Sequence, residues 1–167
     1  FEEIIIKGAA VGFADVPLCE KEPYIIRYAE MIDNWAECDC FCSCIKVKKS
    51  EADDLLRLAE GLMYRKEEFV SRVGTVLMFS KFSDEPTVRK ALTIYDRLPG
   101  GEYYRDMAVA WGISVYCVRY PQLIVKYLEH SPISIAVKLA AAQKIRDSRR
   151  ISDEVKHRVT DTVNAQR

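Results

Sequence analysis

Asn34-Trp35-Ala36-Glu37-Cys38-Asp39-Cys40-Phe41-Cys42 is the most telling segment of this chain. Asn34 with Glu37 three residues on resembles a capping box, which predicts a helix starting at Trp35. On that helix Trp35 and Asp39 lie one turn apart on the same side. The rest of the segment, from Cys38 through Phe41 and Cys42 to Cys44 and Ile45, is apolar. A carboxylate on such a helix is costly unless it is paired or used. Further along, two more apolar helical runs each carry one conspicuous residue: Arg72 in Ser71-Arg72-Val73-Gly74, and Trp111 in Met107-Ala108-Val109-Ala110-Trp111.

Nearly every other segment also reads as helix. Start signals recur, each with proline or an acidic residue in the first turn. Pro23 is expected to open a helix over 24–33, and Ser50 with Asp53 to start the one containing Leu55, Leu56 and Leu58. Asp84-Glu85-Pro86 starts a run to Leu98; Ser131-Pro132 and Ser152-Asp153-Glu154 start the last two. Pro99-Gly100-Gly101 is the clearest break, and Tyr120-Pro121 is another, because the residue before proline is driven from helical geometry. There is no hairpin signal. The helices come in pairs, the second more apolar than the first, and the apolar members hold Trp35, Arg72, Trp111 and Ala142. These are separated by 37, 39 and 31 residues (35 to 72, 72 to 111, 111 to 142). A helix–turn–helix unit of that size predicts an all-α fold, an α-α superhelix or solenoid of HEAT-like antiparallel pairs, as one domain over 1–167. The second helix of each pair would line a concave face.

The 167 residues are enough for a real core, and 49% apolar with 30% charged residues is a soluble, globular balance. Lys+Arg and Asp+Glu are equal at 25 each, so the net charge does not itself point to nucleic acid. No apolar run approaches the ~20 residues of a membrane span, and no secretory leader is visible, so the expectation is a cytoplasmic monomer without a membrane partner. The chain opens at Phe1 inside a helix-like run, which reads as a piece of a longer chain whose N-terminal helices precede it. Of six cysteines, four fall in Cys38-Asp39-Cys40-Phe41-Cys42-Ser43-Cys44. Helical spacing sets Cys38 with Cys42 and Cys40 with Cys44 on different faces, and no second Cys or His cluster completes four ligands. No metal is expected; the thiols read as reduced, small, buried hydrophobes.

Four stripes would line the concave face: Trp35, Asp39, Cys42 and Lys46; Arg72, Thr75, Val76 and Phe79; Tyr104, Met107, Ala108, Trp111 and Ser114; Lys138, Ala142, Ile145 and Arg149. Cations hold phosphates and aromatic faces cover sugars or bases. A carboxylate among them does not help to bind DNA and points instead to chemistry, such as stabilising a cationic sugar and orienting water. Each residue also has a plainer reading. The indoles could be core, Arg72 could be the buried partner of Asp39, and Lys46 and Lys138 could be solvated.

These residues resemble a known family, the AlkD-like DNA glycosylases of HEAT-repeat architecture that repair DNA alkylation. The likeness runs from Phe1-Glu2-Glu3 through Gly8, to Ile32-Asp33-Asn34-Trp35 with Asp39 and Phe41-Cys42, and to Phe69-Val70-Ser71-Arg72-Val73-Gly74. It continues through Glu102-Tyr103-Tyr104 with Met107 to Trp111, and Gln143-Lys144-Ile145-Arg146-Asp147-Ser148. The resemblance implies hydrolysis of the N-glycosidic bond of cationic N3- or N7-alkylated purines in duplex DNA, with no cofactor. It implies that Asp39 stabilises the oxocarbenium-like sugar and positions water, that Trp35 and Trp111 embrace the backbone, and that Arg72 holds phosphate. The DNA-contacting set is then Arg72, Lys46, Tyr104, Lys138 and Lys144. Ser114 stands where some members carry arginine, and Leu139-Ala140-Ala141-Ala142 where the family often has a basic run. With the neutral charge, these leave open a non-catalytic protein that binds DNA of unusual shape, or a scaffold for protein partners.

Overall fold

The computed structural model describes residues 2–167, and among them there are ten α-helices and no strand. They are α1 (Glu2–Phe13), α2 (Leu18–Ala29), α3 (Trp35–Cys44), α4 (Ala52–Met63), α5 (Glu68–Lys81), α6 (Glu85–Tyr95), α7 (Tyr103–Arg119), α8 (Pro121–His130), α9 (Ile135–Asp147) and α10 (Asp153–Asn164). No helix among the described residues is long and apolar enough to cross a membrane. The chain groups into two compact units, Phe1–Phe82 and Ser83–Arg167.

Local sequence accounts for several of the boundaries. Asn34 caps α3, its side chain accepting from the Glu37 N–H at 3.0 Å, and Asp84 caps α6 by accepting from the Thr87 N–H, also at 3.0 Å. Ser152 precedes α10, and α7 ends at Arg119 ahead of Tyr120-Pro121. Gly101 takes φ of +103°, which closes the Pro99-Gly100-Gly101 break.

Three expected starts move. Pro23 lies inside α2 rather than opening it, because Pro17 precedes the helix and the Leu18 N–H is already held by Glu51 Oε1 at 2.7 Å. α4 is preceded by a 3-10 turn, Lys49–Glu51, and follows Glu51 rather than Ser50; the Glu51 carboxylate also takes the Lys48 N–H at 2.9 Å. These two backbone hydrogen bonds hold the Glu51 carboxyl below its ordinary range. α9 is capped by Ser134, whose hydroxyl takes the Val137 N–H, while Ser131 terminates α8.

In the first unit α3 packs between α1 and α5, α4 lies along α5, and α2 meets α1, α4 and α5. α4 buries only one stripe, Leu55, Leu58, Ala59, Leu62 and Met63, as its charged opposite side requires. α5 is buried on every side from Val70 to Phe79 and so forms the centre of the unit. Gly74 makes its approach to α4 possible: a Cβ there would lie 2.5 Å from the Met63 nitrogen and 2.6 Å from the Ala59 carbonyl oxygen. Lys21 is 3% exposed, and its ammonium donates to the carbonyls of Gly12 at 3.2 Å and Lys46 at 2.8 Å, tying the end of α1 to the exit of α3.

In the second unit α7 packs on α9, α8 and α6, and α10 on α9 and α8. Tyr95, Tyr116, Ile113 and Ile124 are its largest fully buried side chains. Ala141 and Ala142 are buried as well, so the Leu139–Ala142 run contributes to the packed face of α9.

Candidate functional site

The local pattern of α3 decides which of its residues reach water. Cys38, Phe41 and Cys42 are fully buried and seat the helix between α1 and α5. Trp35, the first helical residue, stays 58% exposed. Asp39 lies one turn further on, at the seam between the buried and open faces, with its side chain 23% exposed.

Across that seam stands Arg72 of α5, whose side chain is only 6% exposed. Its Nη2 donates to both carboxylate oxygens of Asp39, at 2.8 and 3.0 Å. Of the two roles the sequence left open for Arg72, the geometry has the ion pair: a guanidinium this deeply buried faces the carboxylate, not a solvent-borne phosphate. One nitrogen chelates both oxygens, which fixes the orientation of a carboxylate that remains partly open to solvent. Beside the pair, the Cys42 thiol is aimed at the Val73 carbonyl at 3.7 Å, and burial pushes it well above the ordinary thiol range.

No family model, no curated protein and no solved structure matches this chain. Its function is therefore to be sought in these side chains. Trp35, Asp39 and Arg72 come together in the first unit as an exposed indole, a quarter-open carboxylate and a buried cation behind it. An anion held in place beside an aromatic face can stabilise a cation that forms against it.

Lys46 does not continue the Trp35 stripe. α3 ends at Cys44 with Ile45 extended beyond it, and the Lys46 ammonium lies over the Phe13 ring at 4.8 Å. Lys81, which the sequence did not single out, reaches the end of α3 instead and donates to the Ser43 carbonyl at 3.5 Å; partial burial lowers its pKa. The stripe through Thr75, Val76 and Phe79 is buried rather than lining an open face, because α5 is surrounded.

In the second unit Trp111 is half-buried and walls an open hollow of about 380 Å³ together with Ser114, Lys144 and Arg150. Tyr104 is half-buried and meets Tyr103 edge to face, ring centroids 5.1 Å apart. Lys138 leaves the DNA-contacting set: it is 5% exposed, and its ammonium donates to Gln166 Oε1 at 2.5 Å. Desolvation lowers its pKa, opposed by nearby Asp96. Ala142 and Ile145 of the same stripe are core. Arg150 escapes a search by helical stripe because it follows α9 rather than lying on it, and its only sequence signal is the Arg149-Arg150 pair.

The cysteines divide. Cys38, Cys42 and Cys117 are buried as expected, but Cys19 and Cys40 are exposed, since each lies on the outward face of its helix. Burial pushes the Cys117 thiol up to about 12. Among the described residues no three His, Cys, Asp or Glu side chains converge as metal ligands would.

Proposed function

We propose that this chain is a DNA glycosylase that hydrolyses the N-glycosidic bond of N3- or N7-alkylated purines in duplex DNA, built as an α-α superhelix of HEAT-like helix pairs. The architecture is supported by the way alternate helices neighbour one another. α3 lies between α1 and α5 while α2 meets α4, and α7 packs on α9 while α8 meets α10. Stacked helix pairs produce that pattern.

The observation that carries the activity is the Asp39–Arg72 pair beside exposed Trp35. A merely structural ion pair has no need of a quarter-open carboxylate next to an exposed indole. An alkylated purine already carries positive charge. When the C1′–N bond breaks, its electron pair goes to the base, which leaves neutral, so no strong general acid is required. Positive charge moves to the sugar. Asp39 supplies the opposing carboxylate and orients the water that attacks C1′; the proton released from that water goes to the carboxylate or to solvent. Trp35 offers a flat face to the sugar as it becomes cationic. Arg72 acts as a positioning residue, holding Asp39 rather than touching DNA.

The test is release of 7-methylguanine and 3-methyladenine from methylated duplex, with wild type set against Asp39→Asn. The amide keeps an acceptor for Arg72 but loses the charge, so release should fall about 10²- to 10³-fold while duplex binding persists. Equal release by the two proteins removes Asp39 from the chemistry. Binding without any release, by wild type as well, assigns the chain to non-catalytic DNA binding.

A further inference from the structure

One amine stands near Asp39 without a role in base release. Lys81 is on the last turn of α5, and its ammonium reaches the Ser43 carbonyl at 3.5 Å, a long and weak contact. Trp35, Asp39 and Ser43 follow one another at four-residue spacing, so they lie along one side of α3. The ammonium therefore sits at the end of α3, one turn beyond Asp39 and about 6 Å further along the helix axis. The Cys42 thiol is within electrostatic reach of both groups. Burial and Cys38 raise it foremost, and the Asp39 carboxylate and the Lys81 ammonium then act on it with opposite sign. No carboxylate pairs with Lys81 among the described residues. Other amines of this unit are turned elsewhere: Lys7 pairs with Glu3, Lys21 is held by two carbonyls, and Lys46 lies over Phe13. Lys81 is half-buried, and that burial lowers its pKa against the nearby Cys42 and Cys44. More of it is free amine than of a lysine in water.

We infer that Lys81 is the nucleophile of a second reaction at this site, forming a Schiff base with the abasic deoxyribose that base release leaves and cleaving the strand by β-elimination. The inference rests on the glycosylase reading for its substrate. Loss of the base leaves a sugar whose ring opens to an aldehyde at C1′. The Lys81 nitrogen adds to C1′, and loss of water gives an iminium. A C2′ proton then passes to solvent, its electron pair closes the C2′–C3′ double bond, and the C3′–O bond breaks with its pair leaving on the phosphate. Water hydrolyses the imine and returns the amine. No oxidant or reductant is consumed. The opened sugar is extended, so a one-turn offset from Asp39 is within reach of the flexible four-carbon stem of lysine. Lysine attacks carbonyls only as the neutral amine, which partial desolvation favours.

The test uses a duplex carrying a preformed abasic site, so the readout does not depend on base release. Sodium borohydride reduces the imine to a stable amine linkage. The protein–DNA adduct is then read on a denaturing gel and mapped by peptide mass. Wild type should form the adduct on Lys81. Lys81→Arg keeps the charge for any phosphate contact but offers no amine for an imine, so the adduct should be lost. Lys81→Gln, checked for folding by its helix content, should lose it too. Lys66→Arg alters an exposed lysine at the opposite end of α5 and should keep it.

No adduct with wild type, an adduct undiminished in Lys81→Arg, or one mapped to another amine overturns the inference. The two readings separate cleanly. Release of 7-methylguanine by wild type without an adduct removes Lys81 from the chemistry and keeps the glycosylase. An adduct on Lys81 without release from methylated duplex keeps the second reaction and removes the first.

Discussion

Removing the smaller partner of the Asp39–Arg72 pair should cost more stability than removing the larger one. The Arg72 side chain is 6% exposed and that of Asp39 is 23% exposed. Asp39→Ala leaves a guanidinium buried without its counter-charge, a loss of about 3–5 kcal/mol, with the lower end expected because water can enter from the open side. Arg72→Met leaves a carboxylate that can turn toward water, while the methionine fills the buried stem. Its cost is that of a hydrogen bond to a charged group, about 1.5–3 kcal/mol, with the lower end again expected. The difference is therefore about 1.5 kcal/mol, although the two substitutions remove equal numbers of side-chain heavy atoms. The double variant should cost less than Asp39→Ala alone, since no charge remains buried. The assay is urea unfolding followed by Trp35 fluorescence in a Trp111→Phe background, so that the signal comes from the first unit only. Equal costs, or a larger cost for Arg72→Met, would refute the asymmetry. Arg72 would then be hydrated in solution and could not be what orients Asp39.

Two further outcomes test the packing and the caps. Gly61→Ala adds a Cβ into open space on α4 and should stabilise by about 0.5–1 kcal/mol, whereas Gly74→Ala drives a Cβ into the α4 backbone and should destabilise by about 1–3 kcal/mol; thermal unfolding that moves both in one direction would reject the close α4–α5 approach. Asp84→Ala should cost about 1 kcal/mol near neutral pH through loss of the α6 cap. Hydrogen bonds from Thr87 hold the Asp84 carboxyl below its ordinary value. The wild-type advantage should therefore be full above the unfolded-chain pKa of ~3.9 and close as pH falls through the lower folded value. Denaturant titrations of both proteins down the acid range check this, and a gap unchanged in strong acid would remove the carboxylate as the cap.

Features whose cause lies within a turn or two of chain are legible in the residues alone. The all-α class, the start of α3 at Asn34, the cap at Asp84 and the breaks at Gly101 and Pro121 follow from hydrogen bonds and steric limits that span a few residues. The same locality put Trp35 and Asp39 on one side of a helix. Which partner each charged group faces is a different matter, because that partner is distant along the chain. Pro23 is internal to α2 since the Leu18 N–H is held by Glu51, 33 residues away. Lys138 is buried because Gln166, 28 residues on, meets its ammonium. Arg72 had two open roles in the sequence, and only the packing of α3 on α5 turned it onto Asp39 and away from solvent. Lys144 and Arg150 gain their relation to Trp111 in the same way, through a hollow formed where α9 and its following turn meet α7. Periodicity fixes the face a residue takes on its own helix. The charge and exposure it ends with depend on what tertiary packing lays against that face.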